Sequence, residues 1–416
     1  MDPDSVNWTG DTRSRRWGQW WLVRGGPLFI YLKILSGLSK ASRFRQWLIG
    51  LLLIVVVLGL SGCHTLSFYG QALKGQYQIF ANEKSIDKLL ADPQTPQPLR
   101  ERLQLLQKLR GFAATDLKLP VDAHYKKYVD VHRPFVVWNV EAAPEFSMQP
   151  KTWWYPLLGS LEYRGYFSKA GATNYARYLR KKGYDVSVGG VQAYSTLGWF
   201  KDPVLNTFIF ESDADLAEII FHELGHQRVF ARGDTDFNEA FATTVGQEGA
   251  RRWLKAHGAQ SAMDAYVDHL QRNEKFVHLV MKTSAELELF YGDTRNAQGK
   301  VRATKKNKGV PPAQLREQKR RILESMKKEY TELKRSWNGD AEYDAWFAHE
   351  VNNAHLNSVA AYYDFVPGFE QLLALNGGEL EKFYDSVERL SKQPKKERHA
   401  TLRALAKQEV AVETLN

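Results

Sequence analysis

The chain has 416 residues, of which 44% are hydrophobic, 25% charged and 12% aromatic. These proportions are typical of globular proteins, and they exclude a disordered, collagen-like or polytopic membrane chain. The formal net charge is +10 at pH 7, but no stripe of lysine and arginine interleaved with aromatic residues marks a nucleic-acid groove, so no nucleic-acid partner is expected.

The amino-terminal region consists of a basic segment and an apolar run. Residues 1–46 form an extended segment whose positive charge suits an anionic membrane surface. The run WLIGLLLIVVVLGL follows at Trp47–Leu60. As a helix it would rise only about 21 Å, whereas a stable membrane span needs about 30 Å. Residues 47–62 are therefore predicted to be the apolar part of a signal peptide and its cleavage site.

The residues Leu60-Ser61-Gly62-Cys63 resemble the lipobox of bacterial lipoproteins, in which small residues admit the signal peptidase and the thiol receives the lipid. Cys63 is the only cysteine, so the chain forms no intramolecular disulfide and no thiolate metal site. We expect a lipidated Cys63 that anchors the protein in the bilayer, facing the periplasm. His64 stands where an aspartate would favour the inner membrane, so the outer membrane is the expected location. An uncleaved anchor or a buried cysteine is the alternative.

Residues 63–110 are predicted to form a helical spacer beyond the lipid. Apolar residues recur at helical spacing over Leu66–Leu90 and Leu99–Leu109. The stretch DPQTPQP between them breaks helices. The interpretation is therefore two helices joined by a proline-rich turn.

The remainder of the chain predicts an α+β fold. Residues 111–260 have the pattern of a mixed α/β region, because β-branched and aromatic residues predict strands within Tyr125–Val140, Tyr184–Val191 and Thr207–Phe210. A helix over Ala170–Lys182 is expected to end at Gly183. From Asp213 the pattern is almost entirely helical, and residues 261–416 are predicted to be a C-terminal helical region that completes a cleft.

The run His222-Glu223-Leu224-Gly225-His226 carries the chemistry. In a helix predicted to begin after Ser212 and to end at Gly233, the two histidines are four positions apart. Their imidazoles therefore lie one turn apart on the same face and can bind a single ion. Neutral imidazole suits Zn²⁺, so one zinc ion per chain is expected. Glu223, next to the first ligand, is predicted to act on a water molecule as the catalytic base.

Glu239 is the predicted third metal ligand. It lies thirteen residues after His226, in the run Phe237-Asn238-Glu239 that opens a second helix. Asn-Glu at that place resembles the third-ligand helix of the gluzincins, the superfamily of thermolysin and the zinc aminopeptidases. Thermolysin-like enzymes place an aspartate that orients a ligand four residues further on, where this chain has Thr243. The possible substitutes are Asp234, Asp236 and Glu248.

A closer resemblance is to a family of predicted bacterial aminopeptidases that are also lipoproteins. The match extends from about Leu66 to Leu373 and includes the lipobox. It implies a zinc-dependent peptidase, an aminopeptidase, that is anchored by lipid in the bacterial envelope and hydrolyses peptide bonds with a zinc-activated water. Besides the zinc motif, the residues that carry it are Gly233-Asp234-Thr235, Trp138-Asn139-Val140, Ala143-Pro144-Glu145-Phe146, Tyr163-Arg164-Gly165-Tyr166-Phe167, Tyr194-Ser195-Thr196, Asp202-Pro203, Asn352-Asn353-Ala354 and Val366-Pro367.

The resemblance also implies a hydrogen-bond donor for the oxyanion from the C-terminal helical region, since gluzincins use a histidine or tyrosine there. Tyr362 is the predicted donor, with Tyr363, His355 and His349 as alternatives. Substrate contacts are expected from Ser195, Thr196 and Asn353. For Tyr163–Phe167, a role in the site and a place in the core are equally compatible with the sequence.

Two rival functions remain open. An aminopeptidase needs an acid that binds the substrate's α-ammonium group, and the sequence identifies none; Glu211 and Asp213 lie near the zinc helix, but acids are common at helix N-termini because of the helix dipole. A zinc endopeptidase of envelope proteins is thus one rival. A lipoprotein scaffold with a structural metal is the other.

Overall fold

The computed structural model describes residues 63–122, 124–155, 159–193, 201–295, 301–304, 307 and 309–413. The basic segment, the apolar run, Ser195 and Thr196 lie outside these residues. The chain divides into two units, Met1–Tyr69 and Gly70–Asn416. Within the described ranges, no helix is both long enough and apolar enough to cross a membrane.

The first predicted helix is divided into two, and the second is longer than predicted. Helix α1 (Cys63–Ala81) ends before strand β1 (Lys84–Ser85), and α2 (Ile86–Ala91) then begins. The predicted single helix over Leu66–Leu90 is wrong because Ser85 starts a new one: its hydroxyl accepts a hydrogen bond from the Lys88 backbone N–H at 3.5 Å. Helix α3 (Gln97–Thr115) follows the proline-rich turn. Helix α3 belongs to the predicted spacer. Three of its leucines, Leu103, Leu106 and Leu109, are nevertheless buried in a large cluster of apolar side chains, here called the main core.

A three-stranded antiparallel sheet has β3 (Val137–Pro144) at its centre. On one side β3 pairs with β6 (Tyr163–Tyr166), so that Glu141 faces Tyr163 across the ladder. On the other side it pairs with β7 (Tyr184–Val191), which confirms the strand predicted there. Helix α4 (Lys169–Lys181) precedes β7 and ends as predicted before Gly183, where φ is +81°.

The other strands are short. They are β2 (Lys127–Val129), β4 (Trp153–Tyr155), β5 (Gly159–Leu161), β8 (Val204–Leu205), β9 (Thr294–Arg295) and β10 (Val301–Arg302). The predicted strand at Thr207–Phe210 is wrong: the strand ends at Leu205 and turns follow. Phe208 and Ile209 are buried there by packing in the main core, not by strand pairing.

Helices dominate after Asp213, as predicted. They are α5 (Asp213–Arg228), α6 (Thr235–His257), α7 (Gln260–Tyr291), α8 (Pro312–Ser336), α9 (Asp344–Phe347), α10 (Asn353–Tyr363), α11 (Val366–Leu375), α12 (Leu380–Ser391) and α13 (Lys395–Glu413). The fold is α+β with a mainly helical C-terminal region, which confirms the predicted class.

The zinc-motif helix begins where its sequence predicts and ends earlier. The Ser212 hydroxyl caps α5 by accepting a hydrogen bond from the Asp215 backbone N–H at 3.1 Å. The helix ends at Arg228, and Gly233, with φ of +76°, lies in the turn that leads into α6. The apolar side chains of α5, such as Ile220 and Phe221, pack in the main core. This packing holds the helix against α6.

Candidate metal centre

Two glycines allow α5 and α6 to pack closely at the site. A Cβ added at Gly225 would lie 3.4 Å from the Ala242 Cα. A Cβ added at Gly246 would lie only 2.9 Å from the Glu218 carbonyl oxygen and 3.1 Å from the His222 Cβ. Glycine is therefore required at position 246 for α6 to approach α5 at the level of the first histidine.

The three predicted ligands converge between these helices. The rings of His222 and His226 lie with their centroids 4.9 Å apart. The Oε2 atom of Glu239 lies 3.4 Å from His222 Nε2 and 3.6 Å from His226 Nε2. One ligand atom from each residue lies within 4.8 Å of the other two. The structure thus brings together side chains from two helices that are separated by a turn.

This arrangement fits a divalent cation. Zinc bonds of about 2.0–2.1 Å at tetrahedral angles place two ligand atoms about 3.3 Å apart. The observed spacings of 3.4 and 3.6 Å are close to that separation, and they exceed the roughly 2.7–3.2 Å of ordinary N–H···O hydrogen bonds. The side chains of His222 and Glu239 are 18% and 19% exposed. A ligand can therefore reach the centre from one side.

The charges of the three side chains also favour a cation. Burial raises the pKa of Glu239, but the nearby imidazoles of His226 and His222 outweigh burial and hold that pKa well below its ordinary value. Burial lowers the pKa of His226, but Glu239 outweighs it and the net pKa is raised. The carboxylate thus relies on imidazolium charge. Neutral, metal-binding imidazoles would leave it unpaired unless a cation supplied the missing charge.

Glu223 lies beside the three ligands and keeps a free oxygen. Its Oε2 is buried and has no hydrogen-bond partner among the described residues. Burial raises the pKa of this carboxyl, and the imidazoles of His222 and His226 oppose that rise. A buried polar atom without a partner is costly and therefore needs an explanation. A role as the carboxylate that receives a proton during a reaction would explain this unpartnered oxygen.

The turn between the helices is held by two buried polar residues. The side-chain amide of Asn238 accepts a hydrogen bond from Ala231 N and donates one to Ala231 O. The Asp234 carboxylate, fully buried, binds three side chains of α13 at 2.6 to 2.8 Å: Lys395, Arg398 and His399. These contacts place the start of α6, and with it Glu239.

Two of the three residues considered as orienting partners for the ligands are engaged elsewhere, while the third, Asp236, lines a pocket with Glu239. Asp234 is bound to α13, and Glu248 accepts a hydrogen bond from Arg252 at 2.7 Å. Among the described residues, Nδ1 of His226 is buried without a hydrogen-bond partner. His226 is therefore oriented by packing between α5 and α6.

A tyrosine that the sequence did not single out faces the centre. Tyr163 of β6 lines a pocket together with Glu239, and α10 contributes Asn357 and Ser358 to the same pocket. Burial raises the pKa of the Tyr163 hydroxyl, and the charges of Glu239, Glu223 and Glu141 raise it further. The hydroxyl therefore stays protonated and can donate a hydrogen bond. The run Tyr163-Arg164-Gly165-Tyr166-Phe167 was the only sequence signal for this residue.

Comparison with known families agrees with this geometry. A family model described as "Putative aminopeptidase" matches residues 67–402. The chain belongs to this family. No curated protein matches the chain, and no solved structure does. Membership supports a peptidase, and the matched range includes the three predicted ligands, Glu223 and Tyr163.

Asn353 does not have the role predicted for it in this family member. It is fully buried, and its amide nitrogen lies 3.0 to 3.1 Å from the carbonyl oxygens of Pro144, Glu145 and Ser147, which share its two N–H hydrogens. Its oxygen accepts a hydrogen bond from the Tyr291 hydroxyl. The prediction of a substrate contact is wrong because these bonds occupy the amide. The residue instead holds the loop after β3 against α10.

Two of the C-terminal alternatives considered as oxyanion donors, His355 and Tyr363, have side chains that the structure describes. Tyr362 lies on α10, but its side chain is outside the described part of the structure. His355 stacks on Trp346, and burial lowers its pKa to about 4. Burial raises the pKa of Tyr363 to about 12; the hydrogen bond with Asn273 opposes that rise and the charge of Glu218 adds to it. Tyr163, by contrast, lines a pocket together with Glu239.

Proposed function

We propose that this protein is a zinc-dependent peptidase, an aminopeptidase, that is held by a lipidated Cys63 in the bacterial envelope. One observation supports the zinc dependence above all others: two imidazole nitrogens and a carboxylate converge at metal-ligand spacing beside the unpartnered Glu223 carboxylate. Membership of the aminopeptidase family supports a peptide substrate.

His222, His226 and Glu239 would hold the ion, one per chain. When bound there, zinc would supply a Lewis acid that polarises the peptide carbonyl and makes a water molecule more acidic. Glu223 takes a proton from the attacking water and then delivers it to the leaving amine. The bond from the water oxygen to the carbonyl carbon forms first and places negative charge on the carbonyl oxygen. The bond to the peptide nitrogen then breaks as that nitrogen takes the proton from Glu223, which leaves a carboxylic acid and a free amine.

Tyr163 donates a hydrogen bond to the carbonyl oxygen as that oxygen gains negative charge. Donors held in place before the reaction stabilise developing charge most effectively, because they need no reorganisation. The Tyr163 hydroxyl meets this condition, since its strand is paired with β3 and its raised pKa keeps the proton on it.

A structural zinc site would look different. Such sites are closed by four protein ligands, whereas the cluster here, among the described residues, has three. A structural site also has no use for a buried carboxylate without a partner next to its ligands. Both features favour catalysis over the scaffold alternative.

The test combines metal content with hydrolysis. Elemental analysis of the purified protein should give one zinc per chain, and the His222→Ala variant should lose it. The Glu223→Gln variant should keep its zinc and lose about 10²–10⁴-fold in kcat on peptide substrates. A wild type that holds zinc but is as inert as Glu223→Gln would instead support the scaffold.

Lipid anchoring is tested separately. The Cys63→Ala variant should lose the mass of the acyl groups and appear in the soluble fraction of cells. Wild-type protein should fractionate with the outer membrane. Equal membrane association of both proteins would show that the anchor is not the lipid.

A further inference from the structure

The pocket beside the metal centre contains a second acid that the proposed chemistry does not use. Glu141 lies on β3 and lines this pocket with Glu239 and Tyr163. It is partly buried. Among the described residues, no hydrogen-bond donor and no cation pairs with its carboxylate. Burial raises its pKa to about 8, with no opposing charge.

The position of Glu141 is fixed by the sheet. β3 is the central strand, and Glu141 pairs with Tyr163 on one side and Ser187 on the other. Residues directly opposite in an antiparallel pair project to the same face, with Cβ atoms about 4.5–5.5 Å apart. Glu141 therefore adjoins Tyr163, whose hydroxyl has a pKa that burial raises and that the charges of Glu239 and Glu223 raise further. Glu141, Tyr163 and Glu239 therefore line one pocket.

A cationic ligand would match this carboxylate. An acid in a poorly hydrated place is stable as an anion only when a positive charge accompanies it. The nitrogen of an amino-terminal residue lies only about 2.5 Å from its own carbonyl carbon, given bonds of about 1.5 Å. A peptide whose first carbonyl reaches the metal centre therefore has its α-ammonium group close to that centre, within reach of the pocket that Glu141 and Glu239 both line.

The acids considered for this role from the sequence are already paired. Glu211 accepts a hydrogen bond from the Gln192 amide at 2.6 Å. Asp213 forms an ion pair with Arg102. Neither is free for a substrate. Glu162 lines the same pocket, but it lies outside the paired strands, between β5 and β6.

We propose that Glu141 binds the α-ammonium group of the substrate and thereby restricts the enzyme to free peptide amino termini. This inference rests on the proposed peptidase function, whose substrate class it names. Glu141 is a specificity-determining residue: it binds the substrate amine and takes no part in proton transfer.

The first test compares two substrates on zinc-loaded enzyme: leucine p-nitroanilide and its N-acetyl derivative. Wild type should prefer the free amine at least 100-fold in kcat/KM. Glu141→Gln should raise KM for the free amine about 10- to 100-fold, with kcat changed less than threefold and the acetylated compound unaffected. Glu286→Gln, which removes the same charge from an exposed position on α7, should behave like wild type.

The second test does not depend on turnover. In the Glu223→Gln background, calorimetry should show that leucylglycine binds at least tenfold more tightly than N-acetyl-leucylglycine. Adding Glu141→Gln should abolish that difference while zinc content and melting temperature stay the same. Retention of the difference would overturn the assignment, as would its loss in Glu162→Gln but not in Glu141→Gln.

The outcomes separate this inference from the proposed function. Equal cleavage of an internally quenched peptide with blocked ends would refute the restriction to amino termini while leaving a zinc peptidase. Glu141-dependent binding of the free amine without any hydrolysis would support the amine site and refute the peptidase. Neither binding nor hydrolysis would refute both.

Discussion

The side chain of Asn238 and the backbone of Ala231 exchange two hydrogen bonds, of 2.7 and 2.9 Å, across the turn between the two metal-centre helices. Asn238 is buried and immediately precedes Glu239. The pair therefore fixes where α6 begins relative to the end of α5. The amide gives the Asn-Glu sequence a physical role: asparagine closes the turn, and glutamate reaches the histidines.

Replacing Asn238 with alanine should weaken the metal centre. Ala231 N–H would lose its partner, whereas Ala231 C=O would keep the hydrogen bond from Asp234 N–H; an unsatisfied buried group costs about 1–3 kcal/mol. We therefore expect a loss of about 1–3 kcal/mol in the free energy of unfolding, and a loss of about 10–100-fold in zinc affinity because Glu239 would be less well positioned. Competition with a chromophoric chelator measures the affinity. Asn376→Ala removes a bond to Leu372 O on α11 and should leave zinc affinity unchanged.

The buried Asp234 carboxylate and its partners on α13, Lys395, Arg398 and His399, should stabilise the same turn. Burial alone raises the pKa of Asp234, but the His399 hydrogen bond and the Lys395 charge outweigh it and hold that pKa well below its ordinary value. Asp234→Asn leaves three cationic or hydrogen-bonding partners without their anion. Breaking a buried ion pair in this way costs about 3–5 kcal/mol. Urea denaturation at pH 7 measures the loss.

The pH dependence of that loss follows from the sign of the pKa change. A carboxyl with a depressed pKa in the folded state contributes its full stability above its unfolded pKa, about 3.9, and loses it as the pH falls toward the folded value. The stability difference between wild type and Asp234→Asn should therefore be constant near neutrality and shrink below about pH 4. Asp364→Asn removes a more exposed pair with Arg403 of α13 and should cost less than about 1 kcal/mol.

The local sequence pattern was sufficient to predict the three candidate metal ligands, but not the other residues of the pocket. The spacing of His222 and His226 and the Asn-Glu pair predicted three side chains that do converge, because helical periodicity and a short turn determine their placement. Tyr163 and Glu141 were not predicted. They reach the pocket through strand pairing between β3 and β6, and the register of a sheet leaves little trace in a single sequence.

The wrong predictions have related causes. Asn353 was expected at the substrate because of where it falls in the family motif, but its amide bonds to three carbonyl oxygens. Such bonds depend on a loop about 200 residues earlier in the chain, as the separation of 206 to 209 positions shows. Thr207–Phe210 has strand composition, but β-branched and aromatic residues also fill helical cores. Composition alone does not distinguish these uses.

Tyr163→Phe should lower kcat with little change in KM. The hydroxyl would act only on the oxygen that gains charge, so its loss affects the transition state more than the bound substrate. Removal of one such donor costs about 10²–10³-fold in kcat. Steady-state kinetics with zinc-loaded protein measures the effects on kcat and on KM separately. Tyr166→Phe provides the control, since Tyr166 lies on the opposite face of β6 and packs against Tyr175. An equal decrease in both variants would exclude a donor role for Tyr163.

A pair of glycine-to-alanine changes tests whether close helix packing places the first ligand. At Gly246 the new Cβ would meet the Glu218 carbonyl oxygen at 2.9 Å and the His222 Cβ at 3.1 Å. Overpacking of this kind costs about 1–3 kcal/mol, more than the roughly 1 kcal/mol that alanine gains over glycine in a helix. α6 would move away from α5, so zinc affinity should fall together with the free energy of unfolding.

Gly111 gives the matched comparison because it also lies inside a helix, α3, but a Cβ there would meet nothing within 4 Å. Gly111→Ala should therefore stabilise the protein by about 0.5–1 kcal/mol, with zinc affinity unchanged. Chemical denaturation and chelator competition on both variants measure the two quantities. Opposite signs for the two changes in stability would show that contact between the helices, and not helix propensity, governs position 246. If Gly246→Ala bound zinc as tightly as wild type, the spacing of α5 and α6 would not control the ligand His222.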